Sequence, residues 1–134
     1  MNVKLDDNMP RRFVKTKTRK GTKMLVQASP SGYIQALQGI KRKTLVHGDK
    51  TLMVEFRLDK DSVLPKHSHR HEQTGYLVSG RMRLSIGDKV YDVSPGDSWC
   101  IPTDVEHGAE IVEDTVAVEV FSPVRQDYLP DASS

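Results

Sequence analysis

The spacing of turn-forming residues constrains this chain more than any other feature. Gly, Pro, Asn or Asp chemistry recurs at Ser29-Pro30-Ser31-Gly32, His47-Gly48-Asp49-Lys50, Asp59-Lys60-Asp61, Ser79-Gly80, Gly87-Asp88, Ser94-Pro95-Gly96-Asp97, Pro102-Thr103-Asp104 and Glu113-Asp114. Most gaps are about 7 to 12 residues, the rhythm of short antiparallel strands. Between the turns the apolar residues alternate: Leu52, Val54, Phe56 and Leu58; Met82, Leu84 and Ile86; Val116, Val118 and Val120. That is the period of a pleated strand, not of a helix. Gly87-Asp88 predicts a tight hairpin between Arg81–Ile86 and Lys89–Val93. The best helical stretch, Ile34 to Leu37, is too short to stand alone. So many strands must bury one face and hide their edges, which predicts an all-β fold, a sandwich or small barrel.

At 134 residues the chain has the length of one domain. The pattern divides it into a basic arm or edge strand at 1–30, a barrel at 31–123 and a tail at 124–134. The longest uncharged run, Met24 to Ile40, is interrupted by Ser29-Pro30-Ser31-Gly32, so no membrane helix is expected. Asp6 and Asp7, without an apolar run before Pro10, give no secretory signal, and the cytoplasm is the expected compartment. One cysteine, Cys100, excludes an intrachain disulfide and a cysteine zinc cluster, and a buried thiol is expected. Charge is unevenly spread: Met1 to Lys43 holds eleven Lys or Arg against two Asp, and the remainder nine against sixteen acidic residues. The basic run Arg11 to Lys20 reads as a solvated arm or a lysine-guarded edge strand, since one aromatic residue, Phe13, and no nucleic-acid motif accompany it.

The histidines mark the site. His67, His69 and His71 fall within five residues, followed by Glu72 and Gln73, and His107 lies forty residues beyond His67. On an extended strand alternate side chains face one side roughly 6.6 Å apart, close enough for two imidazoles to converge on one ion. An oxygen from Gln73 and an imidazole from a neighbouring strand would complete a partly open site, the form a catalytic metal requires. Glu72 is the rival oxygen ligand, but parity turns it away from the face of His69 and Gln73. His71 shares that parity, yet four alternate ligands span too far for one ion. A bend is therefore expected, with His71 beside the ligands or facing solvent.

These residues resemble the two motifs of the cupin superfamily. The first, His-x-His, three or four residues, an acidic ligand, six residues and Gly, is matched by His67, His69, Gln73 and Gly80. The second, Gly, five residues, Pro-x-Gly, two residues, His, three residues and Asn, is matched by Gly96, Pro102 and His107, with Asp104 replacing the glycine and Ile111 the asparagine. The resemblance implies a double-stranded β-helix (jelly-roll or cupin barrel), one divalent transition metal ion (Zn, Ni, Mn or Fe) held by His67, His69, Gln73 and His107, and a homodimer. For the homodimer, Phe13 to Lys20 could add a strand to a partner. A glutamine in the acidic position is similar to small cupins reading His-x-His-x-His-Glu-Gln. Among these are pectin-degradation cupins that convert unsaturated uronates to linear ketonized forms.

A neutral Gln73 leaves a bound ion at full charge and favours Lewis-acid work. Three classes follow: a metalloenzyme performing isomerisation, lyase or cyclisation chemistry on a sugar acid or keto acid, an iron-dependent dioxygenase, or a sugar-binding module without catalysis. Trp99, Tyr76 and Phe56 are expected mainly in the core, with a role in the pocket wall open to them. Arg81, Arg83 and Glu119 are expected on the outer face. If inside, an arginine would bind a carboxylate and Glu119 would serve as base. The ligand is expected to be a small molecule, with neither nucleic acid nor membrane as partner.

Overall fold

The structure, a computed structural model, describes residues 22–130. The basic segment Phe13 to Lys20 lies outside the described residues. Eight strands form in chain order: β1 Ile34–Leu37, β2 Ile40–His47, β3 Leu52–Leu58, β4 Val63–His67, β5 Glu72–Ile86, β6 Lys89–Val93, β7 Ser98–Ile101 and β8 His107–Ser122. A single 3-10 turn follows at Gln126–Tyr128. Among the described residues no helix is long and apolar enough to cross a membrane. The all-β expectation holds, and Ile34–Leu37 pairs with β2 as a strand rather than a helix.

Every neighbouring pair is antiparallel, in the order β1-β2-β3-β8-β5-β6, with β4 on β8 and β7 on β5. The two long strands make this one barrel. The first part of β8 pairs with β4 and the second with β3. Likewise β5 pairs first with β7 and then with β6, while β5 and β8 pair with each other throughout. To serve two layers β5 must bend, and its register shifts at Leu77/Ser79, Ser79/Arg81 and Arg81/Met82. Gly80 sits at that bend with φ +92°, where a Cβ would lie 2.3 Å from the Asp114 carbonyl oxygen. Only glycine fits both demands, which explains its place in the first motif.

The core takes the expected Leu52, Val54, Phe56 and Leu58 of β3 and Met82 and Leu84 of β5, joined by Leu77, while Ile86 is partly buried against it. On β8 the phase is opposite to the expectation. Thr115, Ala117 and Phe121 are buried, whereas Val116, Val118 and Val120 occupy the other face. Both parities of β8 are apolar, so alternation alone could not choose, and the register with Leu52, Phe56 and Leu77 decides it. Glu119 follows the inner phase. Tyr76 and Cys100 fall on the outer face and are exposed, correcting the expectation of a core tyrosine and a buried thiol. Their partners across the strands, Val118 for Tyr76 and Thr74 for Cys100, point the same way. Arg81 and Arg83 are exposed as expected, with Arg83 near Asp92 and Glu110. Residues 124–130, assigned to a tail by the sequence, pack back on the barrel: Val124 is buried and Tyr128 and Leu129 contact the core.

Candidate metal centre

The two motifs meet because their strands pair. His67 ends β4 and His107 begins β8, and the two are Cα partners in the ladder. Their rings lie 4.2 Å apart between centroids, and His69 completes the group at 4.9 Å from His107 and 5.7 Å from His67. One ligand atom from each of the three can lie within 4.8 Å of the others. His69 is not on a strand: β4 stops at His67, and the expected bend falls at Arg70 and His71 before β5 begins. The backbone N–H of Asp104 donates to the His69 carbonyl at 2.8 Å and ties this loop to the second motif. Asp104 has φ +62°, the left-handed conformation of the glycine it replaces, which aspartate tolerates better than most residues. Ile111, the other departure, is a buried core residue on β8.

Hydrogen bonds set the imidazoles. Nδ1 of His67, His69 and His107 each faces a backbone carbonyl, of Pro65 at 2.8 Å, His71 at 2.9 Å and Val105 at 2.9 Å. A carbonyl only accepts, so each Nδ1 carries a proton and Nε2 is the ring nitrogen left available to a metal. Among the described residues Nε2 of His69 and of His107 is buried without a partner, and so is Oε1 of Gln73. Burial lowers the pKa of His107 to about 4, aided by the charges of its imidazole neighbours and Arg125 against the Val105 hydrogen bond. Burial, with Arg125 second, also lowers that of His69. Both rings are therefore neutral at pH 7, the state a metal ligand needs.

Gln73 faces inward and Glu72 outward, as strand parity requires. The amide Nε2 of Gln73 donates to Glu119 Oε1 at 2.7 Å, and the indole Nε1 of Trp99 donates to the same oxygen at 2.9 Å. The first bond fixes the amide: its NH2 meets the carboxylate, so its oxygen is turned to the histidines. The second depends on Gly75. A Cβ there would lie 2.2 Å from the Trp99 ring, so the missing side chain is what lets the indole cross β5 to reach Glu119. Burial raises the Glu119 pKa, opposed by the Trp99 and Gln73 hydrogen bonds and by Arg125. Glu119 therefore lies inside, not on the outer face expected from the sequence.

These donors would fit a divalent transition ion: three imidazoles lie together, and the buried Nε2 of His69 and of His107 and Oε1 of Gln73 have no hydrogen-bond partner among the described residues, a costly state that an ion would relieve. His71 stands beside the group, its ring 5.5 Å from His69 and its buried Nδ1 also unpaired. Three further residues were missed by the sequence reading. Gly75 carries no motif signal. Arg125 and Tyr128 lie past the last turn, where only the cluster Val124, Tyr128 and Leu129 hinted at a packed segment. Arg125 lies over the Phe121 ring at 5.1 Å and over the Tyr128 ring at 3.9 Å, and Phe121 in turn packs against His69 at 5.8 Å.

Known proteins resemble this chain in sequence and fold. Residues 54–123 match the cupin domain family Cupin_2. The chain is 30% identical over 93 residues to the pectin degradation protein KdgF of Dickeya dadantii, covering 68% of this chain and 84% of that protein. It is 27% identical over 85 residues to the H2HPP isomerase of Bacillus subtilis, covering 61% of this chain and 36% of the isomerase. Among solved structures, KdgF from a Halomonas species superposes with a TM-score of 0.76 at 30% identity, covering 81% of this chain and 100% of that one. The ligand motifs, the two-layered barrel and these matches make the chain a member of the cupin superfamily.

Proposed function

We propose that this cupin is a metal-dependent enzyme that isomerises, cleaves or cyclises a small oxygen-rich acid, a sugar acid or keto acid. The observation that carries the reading is the shared amide of Gln73. One side chain keeps a buried, unpaired oxygen beside His69 and holds the half-buried Glu119 carboxylate with its nitrogen. A divalent ion bound by His67, His69, Gln73 and His107 would supply Lewis acidity toward a carbonyl or hydroxyl of the substrate. Glu119 then moves the proton. Its Oε1 takes both hydrogen bonds, from Gln73 and Trp99, and burial raises its pKa above the ordinary carboxylate value, the direction that suits a general acid–base. Arg125, close enough for its charge to act on His69, His107 and Glu119, meets the acid group. The names of the relatives, a pectin degradation protein and an isomerase, support the class of substrate and reaction.

Incubation of metal-loaded protein with unsaturated uronates and small keto acids, followed by NMR, tests the reading. Conversion without oxygen consumption is expected. Oxygen uptake by an iron-loaded sample with no isomerised product would replace it with oxidative chemistry, and tight binding without turnover with a sensor. The homodimer belongs to the same proposal: Val116, Val118 and Val120 line an outer face beside exposed Tyr76 and Val78 that a second copy would cover. A monomeric mass at micromolar concentration contradicts it.

A further inference from the structure

Beyond β8 the chain turns back over the barrel end that holds the histidines. Buried Val124 anchors it, and the Thr44 hydroxyl donates to the Tyr128 carbonyl. The Tyr128 ring reaches the edge of Phe121 at 5.5 Å, and Phe121 contacts His69. Two cations lie over that one tyrosine ring: Arg42 with its Cζ 4.1 Å and Arg125 with its Cζ 3.9 Å from the centroid. Two like charges gathered at one ring repel each other, and the ring's negative face is what makes the arrangement tenable. Asp127 adds a second hold on Arg125, accepting from Nε at 3.3 Å and from Nη2 at 3.1 Å. The guanidinium is thereby fixed by its plane and by one edge. Among the described residues Nη1 has no hydrogen-bond partner, although the Arg125 side chain is only 15% exposed.

We infer that Tyr128 is a positioning residue of the site: its ring holds Arg125 so that the free Nη1 edge meets the carboxylate of the substrate. This rests on the reading of the site as one for a small acid, and it makes an acid group, rather than a neutral sugar, the feature recognised at the C-terminal side. Packing alone would be served by any apolar side chain at 128. Cation holding needs an aromatic ring.

The test uses the full chain loaded with metal, with malonate as the probe of anion affinity by calorimetry and an unsaturated uronate as the probe of turnover. Tyr128→Phe is expected to match the wild type. Tyr128→Leu should weaken malonate binding and raise KM about 3- to 30-fold, the range of a lost cation–π contact, with kcat and metal content held. Arg125→Lys should lose a comparable factor, and adding Tyr128→Leu to it should cost nothing more, since the tyrosine acts through the arginine. Should Leu fail to fold, Tyr128→Met takes its place. Wild-type affinity in the Leu or Met variant, equal damage from Phe, additive losses in the double variant, or no malonate binding by the wild type overturns the inference. Malonate binding that follows this pattern without uronate turnover supports it while rejecting the proposed reaction.

Discussion

The barrel carries two polar clusters, one outside on β2 and β3 and one inside where β4, β5, β7 and β8 meet, and they are built on opposite rules. On the outer face Glu55 of β3 accepts from the Tyr33 hydroxyl and, at 2.9 Å, from Arg57 Nε. Lys43 of β2 donates to the Ser29 carbonyl at 2.7 Å, and Arg57 lies over the Tyr33 ring at 4.6 Å. Each charged group there meets its partner within the chain, and the cluster clasps residues 29–33 to the sheet. On the inner face His69, Gln73 and His107 each keep a buried atom unpaired. An unpaired buried polar atom costs about 1–3 kcal/mol, so a fold retains several together only where something else supplies the partner. A satisfied cluster is architecture, and an unsatisfied one is a binding site.

Changes to the two clusters should therefore differ in kind. Glu119→Gln, which keeps the shape of the inner cluster, should leave metal content unchanged and lower turnover by about 10²- to 10⁴-fold, as loss of a general acid–base does. Equal turnover would take the proton-moving role away from Glu119. Gln73→Glu should retain or tighten the metal, because a carboxylate adds charge, and reduce turnover by roughly tenfold by weakening Lewis acidity. Glu72→Gln, on the exposed side of β5, should change neither property. If instead it removes the metal, the register drawn for β5 is wrong by one residue. Gly75→Ala should displace the Trp99 indole from Glu119 and cost about 1–3 kcal/mol of stability, read from denaturant unfolding with Trp99 fluorescence. Glu55→Gln should cost about 0.5–1 kcal/mol, within the range of a partly exposed ion pair, with metal content and kcat unchanged.

The inner cluster was legible in the sequence where chemistry is tied to spacing. His67, His69, Gln73 and His107 stand at motif intervals, and period-two parity separates Gln73 from Glu72 without any coordinates. Glu119 was not legible in this way. Val116, Val118 and Val120 alternate as convincingly as Ala117 and Phe121, and only pairing with β3 and β5 shows which set is inside. Cys100 was misplaced because β7 contains too few residues to reveal its phase, and Tyr76 because β5 is apolar on both faces there, with Leu77 inside and Tyr76 and Val78 outside. Arg125 and Tyr128 escaped because their segment has no strand period. It packs through Val124, Tyr128 and Leu129, and its contact with the site is made through Phe121, a residue seven positions away in the chain from Tyr128.

Elemental analysis of protein purified without added metal tests most directly whether the inner cluster is a metal centre. About one equivalent of a divalent transition metal per chain is expected in the wild type, with near-complete loss in His69→Ala, because a folded site binds only with its ligands intact. Equal metal content in the two proteins would contradict it.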